Sequence, residues 1–147
     1  MADVSGLSFL DAFSGSGAVA LEAISRGADK AVAVEVDKKA YSVIEKNVEM
    51  LGIGDKVRVV RAYVNAWSTR HQSELFDIIV ADPPYDDIPL RDMKILPRHL
   101  KTDGLLVLSF PKKADWYPFE GCELIQSKSY GDSTLHIYQN KAHAILL

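Results

Sequence analysis

The sequence holds a single cysteine, Cys122, among 147 residues. A lone thiol supports neither an intramolecular disulfide nor a thiolate metal cluster, and this usage fits a reducing, intracellular compartment. Long apolar runs are missing too. The longest, at residues 104–108 and 78–81, fall far short of the roughly 20 residues that cross a bilayer. No basic segment precedes the first apolar stretch and Asp11 interrupts it, so no secretory leader is expected and a cytoplasmic protein is predicted. Repeats and low-complexity tracts are lacking. His71, His99, His136 and His143 share no metal-like spacing, so no metal site is expected. Positive charge is not in excess: 17 Lys and Arg stand against 20 Asp and Glu, a net charge of −3. That balance counts against tight nucleic-acid binding by bulk charge and leaves a local basic patch as the route to it.

What is present is the composition of an ordinary globule, with 48% hydrophobic and 25% charged residues. The length suits one domain over residues 1–147. Short apolar runs at 7–11, 31–35, 57–61, 76–81 and 105–110 predict strands. Between them, residues 16–26, 38–51, 64–71 and 90–96 predict helices. The second is the clearest, with Ala40, Val43, Ile44, Asn47, Val48 and Leu51 at steps of three and four and Gly52 at its end. Pro97 breaks or restarts the last of them. Two further strands, 122–128 and 134–139, flank the turn-forming cluster Tyr130-Gly131-Asp132-Ser133. Strand–helix alternation predicts a doubly wound, mostly parallel α/β sheet, with the final hairpin adding an antiparallel strand. Trp67 reads as core. Lys112 and Lys113, after the fifth strand, read first as a solvated loop and second as a phosphate contact. The tail, residues 142–147, is apolar and suits docking on the domain or on a partner chain.

Asp11-Ala12-Phe13-Ser14-Gly15-Ser16-Gly17 joins the first strand to the first helix. Glycines there let the backbone take positive φ and approach a ligand closely, and the helix start offers unpaired N–H groups. Glu35 closes the second strand, where an acid can accept both ribose hydroxyls of a nucleoside. Gly15, Gly17 and Ala20 also satisfy a relaxed dinucleotide fingerprint, so a dehydrogenase has to be weighed. Against it, Ala12-Phe13-Ser14 separates the strand end from the first glycine, and Asp11 suits a cationic amino-acid moiety better than a pyrophosphate.

Asp82-Pro83-Pro84-Tyr85 ends the fourth strand and is the most specific local signal. In a doubly wound sheet this strand end faces the same crevice as the glycine turn. The exocyclic amine of a nucleobase is a poor nucleophile because its lone pair is delocalised into the ring. A carboxylate (Asp82) and a carbonyl (Pro83), each accepting one N–H, favour a pyramidal nitrogen with a localised lone pair. Two prolines fix φ and hold that carbonyl in place. Tyr85 offers a flat face for an extruded base, and Asp82 can take the proton that the methylated amine releases.

The stretches Leu10–Ala18 and Leu21–Ala28, together with Asp82-Pro83-Pro84-Tyr85 and Tyr130-Gly131-Asp132-Ser133-Thr134, resemble the RsmD family of bacterial small-subunit ribosomal RNA guanine-N2 methyltransferases. The resemblance runs over nearly the whole chain. It implies a seven-stranded Rossmann-like sheet with the last strand antiparallel, S-adenosyl-L-methionine as cofactor, and guanine in ribosomal RNA or the small ribosomal subunit as target. It implies Asp82, Pro83, Pro84 and Tyr85 as the amine-positioning residues. The implied cofactor contacts are Asp11, Phe13, Gly15, Ser16, Gly17, Glu35, Val36 and Tyr63, with Asp11 near the methionine ammonium. Two departures stand out: only a few residues precede Asp11 where members carry a basic, helix-forming extension, and Tyr63 stands where many place an Asp or Asn against the adenine amine, with Asn65 as a substitute. The other readings are adenine-N6 methylation of RNA or DNA and a cofactor-binding module without catalysis.

Overall fold

The computed structural model describes residues 3–141. The predicted docking of the tail and the placement of His143 lie outside these residues. Seven strands form one sheet in the order β3-β2-β1-β4-β5-β7-β6. They are β1 (Ser8–Asp11), β2 (Lys30–Val34), β3 (Val57–Val60), β4 (Phe76–Ala81), β5 (Leu100–Pro111), β6 (Cys122–Tyr130) and β7 (Ser133–Asn140). β1 to β5 run parallel. β7 inserts antiparallel between β5 and β6, so the final hairpin extends the sheet with one reversed strand. The predicted fifth strand starts too late. A register shift between Phe76 and Ile78 lets β5 begin at Leu100, opposite Phe76, and continue through a bulge.

The sheet is covered on two faces because successive side chains alternate across it. Phe9, Ala31, Ala33 and Val57 pack under α1 (Ala18–Ser25) and α2 (Lys38–Leu51). Leu10, Val32, Val34, Ile79, Leu106 and Leu108 pack on the other face with Trp67 of α3 (Val64–Arg70) and Met93 of α4 (Leu90–Lys94). Trp67 is core, as expected, at 1% exposure. The small residues Ala20 and Ala23 let α1 lie close to the sheet, which is why the run of alanines forms a buried stripe.

α2 starts where the Asp37 carboxylate accepts the Ala40 N–H at 2.9 Å and stops at left-handed Gly52. Its buried stripe is narrower than its periodicity suggests. Ile44 and Val48 are buried, whereas Val43 and Leu51 face solvent. The helix serves the β3 edge of the sheet, where one row of apolar side chains is enough. α4 is a helix of five residues, after which Ile95 leads into a 3₁₀ turn, Leu96–His99, with Pro97 near its start. His99 is fully buried at the end of that turn. The Ser68 hydroxyl lies 2.6 Å from its Nε2, and its Nδ1 lies 2.8 Å from the Glu74 carbonyl. The carbonyl can only accept, so Nδ1 carries a proton, and burial holds the pKa of this bracing imidazole below its ordinary value. No described helix is long and apolar enough to cross a membrane.

Candidate active site

The carboxyl ends of β1 to β4 surround a cleft of about 470 Å³. It opens where the chain order reverses, with β2 on one side of β1 and β4 on the other. Ligands sit at such switch points because the loops on either side diverge.

The glycine turn is pinned between the neighbouring strands: the Ala12 N–H donates to the Val80 carbonyl and the Ser14 N–H to the Val34 carbonyl, both at 3.0 Å. Gly15 then takes φ 58°, and a Cβ built on it would meet no atom within 4 Å. The backbone there faces open cleft, as a closely approaching ligand requires. Gly17 has a different reason. Its φ is 81°, and a Cβ would lie 3.0 Å from Ile44 of α2, so the second glycine lets α1 and α2 approach each other. The structure thus gives Gly17 a helix-packing role beside the predicted one of making room for the cofactor.

Glu35 lies just past β2 and braces the turn. One carboxylate oxygen accepts the Gly15 N–H at 2.6 Å and the other accepts the Asp37 N–H at 2.8 Å. Each oxygen keeps further acceptor capacity on the cleft side. Asp11 is buried and accepts the Ser14 hydroxyl at 2.9 Å. Burial pushes its carboxyl up to about 6, and the charges of Asp82 and Glu35 push the same way. It does not line the cleft.

Phe13, Gly15, Glu35, Val36, Tyr63, Asp82 and Pro84 line the cleft together, whereas Asp11, Ser16, Gly17, Pro83 and Tyr85 do not. Asp82 is exposed, Pro83 is buried and Pro84 is exposed again, the alternation of an extended segment, and the chain bends after the proline pair, at residues 85–87. Tyr85 swings its hydroxyl away, onto Ser109 and Ser133. Tyr63 precedes α3 without capping it and is largely exposed at the rim.

Sequence reasoning missed Asp87 and Asp92, which also line the cleft. Asp92 of α4 accepts the backbone N–H of Asn65 at 3.0 Å, so an acid from a distant helix caps α3 beside Tyr63. Asn65, predicted as the substitute contact, engages Asp92 through its backbone N–H and does not line the cleft. The available signal was the acid-rich stretch Asp86-Asp87 followed by Asp92, next to the proline motif. With these, Glu35, Asp82, Asp87 and Asp92 present four carboxylates, and among the described residues no Lys, Arg or His lines the cleft. Such a lining favours a cation and disfavours a phosphate. Lys112 and Lys113 are exposed beyond β5, outside it.

This sheet, with its reversed β7 and a nucleoside-sized cleft at the switch point, is the Rossmann-like fold of methyltransferases. A Haemophilus influenzae chain described as a candidate methylase superposes with a TM-score of 0.83 at 26% identity, over 93% of this chain and 88% of its own. A candidate methyltransferase of Escherichia coli gives 0.82 at 28%, over 95% and 78%. The chain belongs to the family described as conserved hypothetical protein 95, whose model matches residues 1–139, and it is RsmD-like. Among relatives, ribosomal RNA small subunit methyltransferase D of Buchnera aphidicola (Acyrthosiphon pisum) is 38% identical over 76 residues, 52% of this chain and 39% of that protein. The protein of the same name in Haemophilus influenzae is 27% identical over 136 residues, 89% and 70%. The match thus spans well under half of the first relative's length.

Proposed function

We propose that this protein is a cytoplasmic methyltransferase that uses S-adenosyl-L-methionine to methylate the exocyclic N2 of a guanine in small-subunit ribosomal RNA. The observation that carries this reading is the convergence, on one acidic cleft, of open Gly15, braced Glu35, Asp82 and Pro84. The residues fit the cofactor: Glu35 has acceptor capacity for a ribose, Gly15 leaves space above its backbone, and the carboxylates suit a positively charged ligand. When bound, S-adenosyl-L-methionine supplies an electrophilic sulfonium methyl. Asp82 accepts one N–H of the target amine and the Pro83 carbonyl the other, which localises the nitrogen lone pair. Asp82 then takes the proton that the amine loses on methylation. Tyr85, which follows the proline pair, supplies the aromatic wall for the extruded base.

Calorimetric titration tests the reading. S-adenosyl-L-methionine should bind and NADH should not, because the described residues of this cleft offer a pyrophosphate four carboxylates and no cationic side chain. Unmodified small subunits should then gain one N2-methylguanine, identified by nucleoside mass spectrometry; methyl on adenine N6 would replace the guanine assignment. Binding without methylation of any RNA would point to a non-catalytic module. Affinity should also depend on pH. Asp11 holds its proton up to about 6 in the free protein, and a cation held in the neighbouring cleft favours the ionised form. The ligand should therefore bind more tightly as pH rises through about 6 and release a proton on binding near that pH. An Asp11→Asn variant should lose this dependence.

A further inference from the structure

The turn motif Tyr130-Gly131-Asp132-Ser133-Thr134 has no part in the chemistry above, yet the fold places it beside the amine-positioning loop. β7 starts at Ser133 and pairs with Pro111 at the carboxyl end of β5. The hairpin tip therefore stands on the same edge of the sheet as Asp82-Pro83-Pro84-Tyr85. The Lys112 N–H donates to the Asp132 carbonyl at 2.8 Å and ties the tip to β5. On this edge the Tyr85 oxygen lies 2.8 Å from the Ser109 hydroxyl of β5 and 2.9 Å from the Ser133 hydroxyl of β7. The bonding is consistent: Tyr85 donates its one proton to Ser133, and Ser109 donates to the Tyr85 oxygen. Ser109 and Ser133 belong to the same face of the sheet, since Ser109 pairs with Leu135, two residues beyond Ser133.

We infer that Ser109 and Ser133 are positioning residues, a two-hydroxyl tether that holds the Tyr85 ring as a fixed wall of the target-base site. A phenol has two soft torsions. The prolines restrict the backbone before Tyr85 but leave its χ1 and χ2 free, and hydrogen bonds at the far end of the ring remove that freedom. Tyr85 is 37% exposed, so packing alone does not lock it. The tether also explains why a tyrosine serves here in place of phenylalanine. The inference rests on the function proposed above for Asp82-Pro83-Pro84-Tyr85, and its two tests separate the two claims.

The first test needs no activity. Amide hydrogen exchange over residues 82–88 should speed up in Tyr85→Phe and in the Ser109→Ala/Ser133→Ala double variant, with exchange elsewhere in the sheet unchanged. Unchanged exchange in this segment would overturn the tether even if RNA is methylated. Faster exchange in a protein that methylates no RNA would uphold the tether and reject the methyltransferase reading. The second test uses turnover. Each serine variant should lower kcat by roughly two- to tenfold, the worth of one hydrogen bond, while affinity for S-adenosyl-L-methionine holds. Removing both serines in a Tyr85→Phe background should cost nothing further, because the hydroxyl they hold is already gone. Ser133→Thr, which restores a hydroxyl, should recover most of the loss seen in Ser133→Ala. Additive losses, or serine variants that weaken cofactor binding with kcat intact, would overturn the positioning role.

Discussion

Asp82→Ala should lower methyl transfer by roughly 10²–10⁴-fold while the affinity for S-adenosyl-L-methionine changes little. Two losses combine. The target amine loses the acceptor that turns one N–H, so its lone pair returns to the ring, and the released proton loses its nearest base. Asp82→Asn separates them. Its amide oxygen can still accept the N–H but cannot take up a proton, so it should recover part of the orientation and none of the proton transfer. Asp82 is exposed and sits at the loop end of β4, outside both hydrophobic clusters, so neither substitution should disturb the core. Single-turnover methylation of unmodified small subunits, alongside calorimetry with the cofactor, reads both quantities. Parallel loss of binding and turnover would move Asp82 from the amine to the cofactor. Full turnover in the alanine variant would remove it from the chemistry.

Much of this arrangement was legible because its signals are local. Strand and helix are separated by hydrophobic periods of two and 3.6, and a glycine turn followed by an acid marks a nucleoside site within one β-α-β unit. Asp82-Pro83-Pro84-Tyr85 is contiguous, and its position after the fourth strand sends it to the crevice. The parts that escaped depend on distance. Asp92 reaches Asn65 across 27 residues, and Tyr85 reaches Ser133 across 48. No periodicity carries such pairings; they exist only once β7 has inserted beside β5 and α4 has packed on α3. Gly17 shows a subtler gap. Its sequence context could not distinguish a glycine that admits a ligand from one that admits Ile44, because positive φ serves both. β6 shows the reverse. Its residues read as a strand, yet most of them are exposed, since an edge strand earns its place through the backbone ladder to β7.

Glu35→Ala should weaken S-adenosyl-L-methionine binding by roughly 100-fold or more, about 3 kcal/mol, the worth of one to two charge-assisted hydrogen bonds. The carboxylate acts twice. In the proposed function it accepts from the ribose, and it already holds the Gly15 and Asp37 N–H groups at 2.6 and 2.8 Å, which shapes the turn before any ligand arrives. Removing it forfeits the ligand contacts and frees the turn to wander, so the cofactor must then order it on binding. Glu35→Gln should fall between. Its oxygen can keep one of the two backbone donors, but its amide NH₂ then faces the other donor and opposes it. Roughly tenfold weaker binding is expected for that variant. Thermal unfolding should show both variants folded, because Glu35 is outside the apolar clusters. The ligand separates the two duties. Adenosine carries the ribose without the amino-acid moiety, so in Glu35→Ala it should lose as much affinity as the full cofactor. Methionine carries no ribose, so any loss it shows measures the disordered turn alone. If adenosine loses no more affinity in the alanine variant than methionine does, Glu35 acts as a brace for Gly15 and the ribose is held elsewhere in the cleft.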